Sequence, residues 1–449
     1  MATRAHTDAD FNQSSRRVEC MVEIYFEGST LTITDSNYLA SLDMLEELAA
    51  ESNNPIGTAS ANELSMTLYN SSGIFTPTNS EGPYYGLIKK GLMIKPYMRL
   101  VLTAVAPLVP DTLTWIPLGV YYVRDWKTEI SGVIAQVYAT DIMEDVLKTD
   151  TSQVQVMPDY TFKQYLDYVF TTIGYTATVS ADLTDQIAYA HSAAKADEFL
   201  PELLIGARSA CFSNRLGSIV AEPLLKTRTL RATLTDADQL KALSAGQSII
   251  KTYDGIDFVY SLPQKTFNTQ VLEVAEFKVP TGTKTHAVMD FDSGPVMAID
   301  YVALQTEDNK LTPTTFSYTP WTITLTTYSS IGSEQETLLG VFGTLIEFTD
   351  THITDETENT MQFNNRYIQN ETLATTYKSF LDTFIKHDLP ILTVTIRGNL
   401  LLELGDKVTI SSTRYNTVFV GVITRMQHSY TGSLSTILTL INATLLEVS

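Results

Sequence analysis

TVTIRGNLLLELGDKVTISSTRYNTVFVGVITRMQHSYTGSLSTILTLINATLL, residues 393–446, is the stretch whose reading decides the fold. Val394 and Ile396 alternate with Thr393, Thr395 and Arg397, and a Gly398-Asn399 turn follows. A second apolar run covers Leu400 to Leu404, and a Gly405-Asp406 turn feeds Val408 and Ile410. Val418, Val420 and Val422 alternate with Phe419, Gly421 and Ile423, and a Tyr430-Thr431-Gly432 turn leads to Leu434, Ile437, Leu438 and Leu440. Period-two alternation of β-branched residues, broken by Gly-containing turns, is the sequence form of an antiparallel barrel or sandwich. Five short strands make one closed or nearly closed unit here, with nothing that looks like a reactive site.

Upstream, Leu373, Tyr377, Phe380, Leu381, Phe384 and Ile385 form an apolar helix stripe. It ends at His387-Asp388, before Leu389-Pro390 and a strand at 391–397. Near the other end of the chain, WIPLGVYYVRDW (115–126) reads as a strand that pairs with Val133–Thr140. These features together resemble the hub proteins of phage tails, the baseplate or tail-tip proteins beneath the tail tube. The C-terminal resemblance is carried by the Gly405-Asp406 turn, the F-x-G-x-I step at Phe419, Gly421 and Ile423, and the Y-x-G turn at Tyr430 and Gly432. The N-terminal one is carried by Pro117, Gly119, Tyr121, Val123 and Trp126, followed by Asp141 and Met143. In this reading Asp141 caps a helix that leaves the barrel and is not a catalytic acid.

Working through the rest in order, residues 1–17 are polar and read as a flexible arm, or as one that orders on a neighbouring subunit. Val22, Ile24 and Phe26 mark a first strand, and Leu31 to Ile33 a second. Residues 38–50 carry leucines spaced as in a helix, but a strand and loop fit nearly as well. Leu64, Met66 and Leu68 share a strand face, and the loop at 74–86 places Tyr84 and Tyr85 at a contact surface or packed back on the sheet. Phe162, Tyr165, Leu166, Val169, Phe170 and Ile173 give a helix stopped by Gly174. Phe199, Leu200, Leu203, Leu204 and Ala207 give another, before a hairpin around Asn214–Gly217. Residues 251–370 return to strands: 258–262, 271–279, 286–291, 296–304, 322–328 and 338–348.

The expected class is therefore mainly β with an inserted α+β domain, and the resemblance implies two antiparallel barrels like those of tail tubes. The divisions are an arm at 1–17, a first barrel at 18–150, the α+β insertion at 151–250 and a second barrel at 251–449. That last barrel includes the helix at 370–388, and the segment before residue 370 and the last fifty residues are expected to complete one another.

Composition narrows the function. With 449 residues the chain is too long for one core. Thirty Lys+Arg against 51 Asp+Glu give a net charge of −21, which disfavours nucleic-acid binding because phosphates are repelled. The acidity suits plain solubility, or an acidic lumen along which DNA slides. Cys20 and Cys211 read as two reduced core thiols. No apolar run reaches 18 residues and the N-terminus lacks a signal-peptide core, so a product made in the host cytoplasm, without membrane insertion, is expected.

Reactive chemistry is sparse. The six histidines, at 6, 191, 286, 352, 387 and 428, never come at metal-ligand spacing. Asp290-Phe-Asp292-Ser-Gly294 is faintly like a calcium loop but lacks the further acidic ligands, so a plain turn is the simpler reading. Glu46 with Glu47, and Asp236 with Asp238, are adjacent acids of the kind a glycosidase uses, and of the kind ordinary surfaces carry. No catalytic, cofactor-binding or metal residue is assigned, and no cofactor is expected. The resemblance implies a structural virion protein of the tail baseplate or tip: a homotrimeric hub whose six barrels form a pseudo-sixfold ring with a central channel. Its implied partners are the tail tube or a distal tail protein above and a spike or tip protein below, with tape measure and baseplate wedge proteins nearby. The alternatives are a tail-associated cell-wall or polysaccharide hydrolase, and a carbohydrate-binding tip module suggested by the 23 tyrosines.

Overall fold

The structure, a computed structural model, describes residues 3–11, 16–48, 59–102, 112–129, 133–238, 242–246, 253–305, 312–329, 332–355, 357, 359–386 and 391–446. The chain is mainly β and divides into two compact units. The first holds residues 1–147, 208–254 and 380–449, and the second residues 148–207 and 255–379.

The first unit is organised around a 16-stranded sheet. Strand Arg16–Phe26 buries every second side chain, so Val18, Cys20, Val22, Ile24 and Phe26 all face inward. It pairs with Ser29–Thr34 and with Met93–Leu102. From Met93–Leu102 the sheet runs through Tyr121–Thr128, Ile134–Thr140, Glu63–Tyr69 and Leu39–Glu47. Within residues 38–48 the segment Leu39–Glu47 is thus strand: a register shift between Leu39 and Ser41 puts Leu39 and Leu42, three apart, both on the buried face, while Leu45 lies on the other.

The decisive element is the 14-residue strand Thr417–Tyr430. Along one edge it pairs with Leu434–Asn442. Along the other it pairs first with Lys407–Ser412 and then, from Arg425, with Leu39–Glu47. The last fifty residues therefore continue the N-terminal sheet, and they do not complete residues 251–370 as expected. Ile391–Ile396 pairs with Leu434–Asn442 and with Ala242–Gly246, while Lys407–Ser412 takes Leu230–Thr235 in parallel. Two cores lie along this sheet. One gathers the N-terminal strands together with Leu400, Tyr430 and Leu434, and the other gathers Leu392, Val394, Val408, Ile410, Phe419 and Leu438. Among the described residues the strand order does not return on itself to close a barrel.

Two glycines of the quoted motifs have a steric reason. Gly119 sits at φ +134°, and a Cβ there would lie 2.4 Å from the ring of the buried Tyr121. A Cβ on Gly421 would lie 2.5 Å from the Phe419 ring and 2.9 Å from Leu440. The N-terminal segment also departs from the expected arm: Thr3–Arg4 pairs in parallel with Thr112–Leu113, Phe11 is buried, and Asp8 meets Arg231 at 2.6 Å.

The second unit pairs two four-stranded sheets over an apolar core that includes Val271, Leu325, Leu339 and Val341. Its longest strand, Gly255–Val279, spans 25 residues with three register shifts, where two separate strands were expected. It pairs antiparallel with Gln335–Thr354 and in parallel with Thr360–Asn365. Phe258, Phe363 and Tyr377 pack as a triad with ring centroids 5.0 to 5.7 Å apart, and the Tyr377 hydroxyl donates to the Ile205 carbonyl. The expected α+β insertion is split: its helices fall in this unit and its hairpin, Ser209–Ser213 with Ile219–Pro223, in the first. In helix Glu371–Lys386 the stripe of Leu373, Tyr377, Leu381, Phe384 and Ile385 is buried and Phe380 half-buried; residues 387–390 lie outside the described residues.

Helix Phe162–Thr172 starts with a capping box. The Thr161 hydroxyl accepts from the Gln164 backbone N–H at 3.2 Å, and the Gln164 side chain accepts from the Thr161 N–H at 2.9 Å. Thr161→Ala is expected to cost about 1 kcal/mol, read as a lower denaturant midpoint at unchanged slope.

Candidate functional site

A chain built mostly of paired strands has its chemistry where a polar group interrupts an apolar face. Along strand Leu39–Glu47 the inward positions run Leu42, Met44, Glu46, so a carboxylate takes a core position. Its cation is Arg215, presented by the turn of the Ser209–Ser213/Ile219–Pro223 hairpin. Arg215 Nη2 lies 2.9 Å from Glu46 Oε1, and Nε lies 3.1 and 3.2 Å from the two carboxylate oxygens. Nη1 donates to the Leu400 carbonyl at 2.6 Å. His428 Nε2 stands 3.6 Å from Glu46 Oε1, and its Nδ1 contacts the Thr436 hydroxyl at 2.8 Å.

All three side chains are buried, Glu46 at 4% and His428 at 0% exposure. Burial works to raise the Glu46 pKa, but the Arg215 charge and His428 together hold it below the ordinary glutamate value. The same carboxylate keeps Arg215 above its usual value against the opposing effect of burial. The pair is therefore charged at neutral pH, and it ties together residues 46, 215, 400 and 428 from three distant parts of the chain. A cavity of about 170 Å3 beside it is lined by Glu46, Arg215, Glu222 and Glu403.

Glu47, Asp236, Asp292 and Asp141, singled out in the sequence, are engaged in internal contacts. Glu47, on the strand's other face, lies 3.6 Å from Arg425 Nε, so Glu46 and Glu47 do not face one another. Asp236 accepts from the Ser412 hydroxyl at 2.5 Å, the Thr413 hydroxyl at 2.8 Å and the backbone N–H groups of Thr413 and Arg414. These bonds, Ser412 first, hold its pKa down at about 2. The Asp238 side chain lies outside the described residues. Asp292 accepts from the Glu273 N–H at 3.0 Å, and among the described residues no group of three His, Cys, Asp or Glu is placed to hold a metal ion. Asp141 caps helix Met143–Leu147 by accepting from the Met143 N–H at 2.9 Å, and its other oxygen accepts from the Asn62 N–H at 3.0 Å.

Cys20 and Cys211 are buried free thiols, pushed well above the ordinary cysteine pKa by burial. Of the loop tyrosines, Tyr84 stacks on Phe26 and Phe75, whereas Tyr85 is exposed. Among the described residues no helix is long and apolar enough to cross a membrane. His387 lies outside the described residues.

In the second unit His191 is buried between Phe348 and Tyr367, at ring distances of 4.8 and 5.2 Å. Burial, with a smaller effect of Arg366, lowers its pKa to about 4. A pKa depressed below the unfolded value gives stability that is present above about pH 6.5 and lost as pH falls towards 4. The loss amounts to about 3 kcal/mol. Unfolding free energies measured between these pH values should show it, and His191→Phe should remove it.

No family model and no curated protein matches the chain. Solved structures do. The 43 kDa tail protein of prophage MuSo2 from Shewanella oneidensis is similar at a TM-score of 0.54 and 12% identity, over 95% of this chain and 99% of that one. The tail protein from Neisseria meningitidis MC58 is similar at a TM-score of 0.53 and 7% identity, over 95% of this chain and 98% of that one. Over nearly its whole length the chain thus has the fold of these two tail proteins.

Proposed function

We propose that this chain is a structural component of a phage-type tail, acting as the hub of the baseplate or tip. The observation that carries the reading is the likeness of fold to the Shewanella tail protein across 95% of the chain. It is supported by the acids being taken up in internal bonds: Glu46 is locked to Arg215, and Asp236 caps the Ser412–Arg414 turn. A hydrolase would need such carboxylates open to a substrate.

In this role three copies form a closed ring. It joins a sixfold tail tube, or a distal tail protein, to a threefold spike or tip, with tape measure and wedge proteins as further neighbours. The −21 charge suits a channel wall that does not hold DNA. Sedimentation equilibrium of the purified chain, alone and with its spike, tests the ring. A mass three times that of the monomer is expected, and electron microscopy of the particle should place the chain under the tube. A monomer under both conditions, or a location in the head, overturns the reading.

A further inference from the structure

Four neighbouring strands of the first unit, Leu39–Glu47, Glu63–Tyr69, Ile134–Thr140 and Tyr121–Thr128, frame a cavity of about 300 Å3 on the face opposite the buried Leu42, Met44 and Leu64. Strand register sets its outward side chains in two rows. Asp43, Ser65 and Tyr138 stand side by side in one, and Ser41, Thr67 and Gln136 in the next. Asp125 and Lys127 follow Tyr138 and Gln136 on the last strand and form an ion pair with each other. Elsewhere on the sheet, polar side chains satisfy one another: Arg99 holds Glu19 at 2.8 Å, and the Tyr97 hydroxyl donates to Glu23 at 3.2 Å. In the cavity the side chains of Ser41, Asp43, Ser65, Thr67 and Gln136 have no partner among the described residues. Hydrogen-bonding capacity from three strands thus converges unused on one depression, beside the 37% exposed Tyr138.

We infer that this cavity binds a neutral saccharide of one or two rings. Sugar hydroxyls each donate and accept, and the lining answers both ways. The Ser and Thr hydroxyls and the Gln136 amide do both, while the Asp43 carboxylate accepts from two hydroxyls at once. The Tyr138 ring offers an apolar surface to the C–H face of a sugar. Size agrees, at the lower end of the roughly 300–1,000 Å3 of small-molecule sites. Charge decides against an anion: the Asp125–Lys127 pair cancels, which leaves the Asp43 carboxylate to repel phosphate or an acidic sugar. An extended peptide fits poorly too. Leu39–Glu47, Glu63–Tyr69 and Ile134–Thr140 each pair with strands on both sides, so no backbone edge is open for strand addition. The inference does not depend on the ring or on the hub role.

Saturation-transfer NMR on the full chain tests this, with cellobiose, lactose and N,N′-diacetylchitobiose as neutral probes, and with glucose against glucuronate to read the effect of charge. At least one neutral disaccharide is expected to bind in the millimolar range or tighter. Asp43→Ala removes a charged acceptor and should weaken binding about tenfold or more. Ser41→Tyr, which fills the cavity, should abolish it, whereas Lys278→Gln, an exposed change in the second unit, should leave it unaltered. If Ser41→Tyr fails to fold, Asp43→Ala and Gln136→Ala carry the test. No neutral disaccharide bound below about 10 mM, equal binding to Asp43→Ala and the wild type, or tighter binding of glucuronate than of glucose overturns the inference.

Discussion

Replacing Arg215 by alanine is expected to lower the stability of the first unit by about 3–5 kcal/mol. The substitution leaves Glu46 in the core without its guanidinium and strips the Leu400 carbonyl of its donor. An uncompensated buried charge costs far more than the net worth of the pair, because the desolvation penalty stays while the attraction goes. The double replacement Glu46→Gln/Arg215→Met removes both charges and is expected to recover most of the loss. Urea unfolding of the three proteins separates the contributions. A loss below about 1 kcal/mol in Arg215→Ala would mean that water reaches Glu46 and that the cluster does not hold the unit together.

The second large effect is a pH dependence of opposite sign to that of His191. Asp141 is buried at 1% exposure, and burial raises its pKa from 3.8 to about 7, against the two backbone N–H groups that favour the carboxylate. A folded-state pKa above the unfolded value means that the folded chain binds the proton more tightly. The stabilisation is fully present below about pH 4 and is lost as pH rises through about 7. The difference of about three pH units corresponds to about 4 kcal/mol. Asp141→Asn, which cannot titrate, should flatten this slope while keeping an oxygen to accept from the Met143 N–H. Unfolding free energies of wild type and Asp141→Asn from pH 4 to 8 should therefore lie close together at the acid end and separate towards the alkaline end, where the wild type falls. Parallel curves would show that Asp141 is ionised throughout.

Much of the fold was legible because strand alternation is local. The runs at 391–396, 407–412, 417–430 and 434–442 all appear as strands, and the stripe from Leu373 to Ile385 as a helix. Partnership was not legible. Nothing in residues 417–430 tells which neighbour their free edge takes, and the answer, Leu39–Glu47, lies almost 400 residues away. The strand Gly255–Val279 read as two pieces because each register shift resets the alternation. The grouping of strands was hidden for the same reason: composition said β, but only pairing decides which strands belong together. Glu46 did leave a signal, a charge in the inward register between Met44 and Leu48, which requires a buried cation. The identity of that cation could not be read, since residues 46, 215 and 428 share no spacing.

The strand that serves two neighbours also sets a timetable for synthesis. Glu47 pairs with Arg425, so the edge of Leu39–Glu47 emerges from the ribosome 378 residues before its partner exists. At translation speeds of about 5–20 residues per second that edge waits roughly 20–75 s. During the wait an open strand edge invites pairing with other nascent chains. Glu46 and Glu47 on it carry like charges that discourage such contacts between identical chains. The first unit can be completed only once strand Thr417–Tyr430 has been made, long after its N-terminal strands.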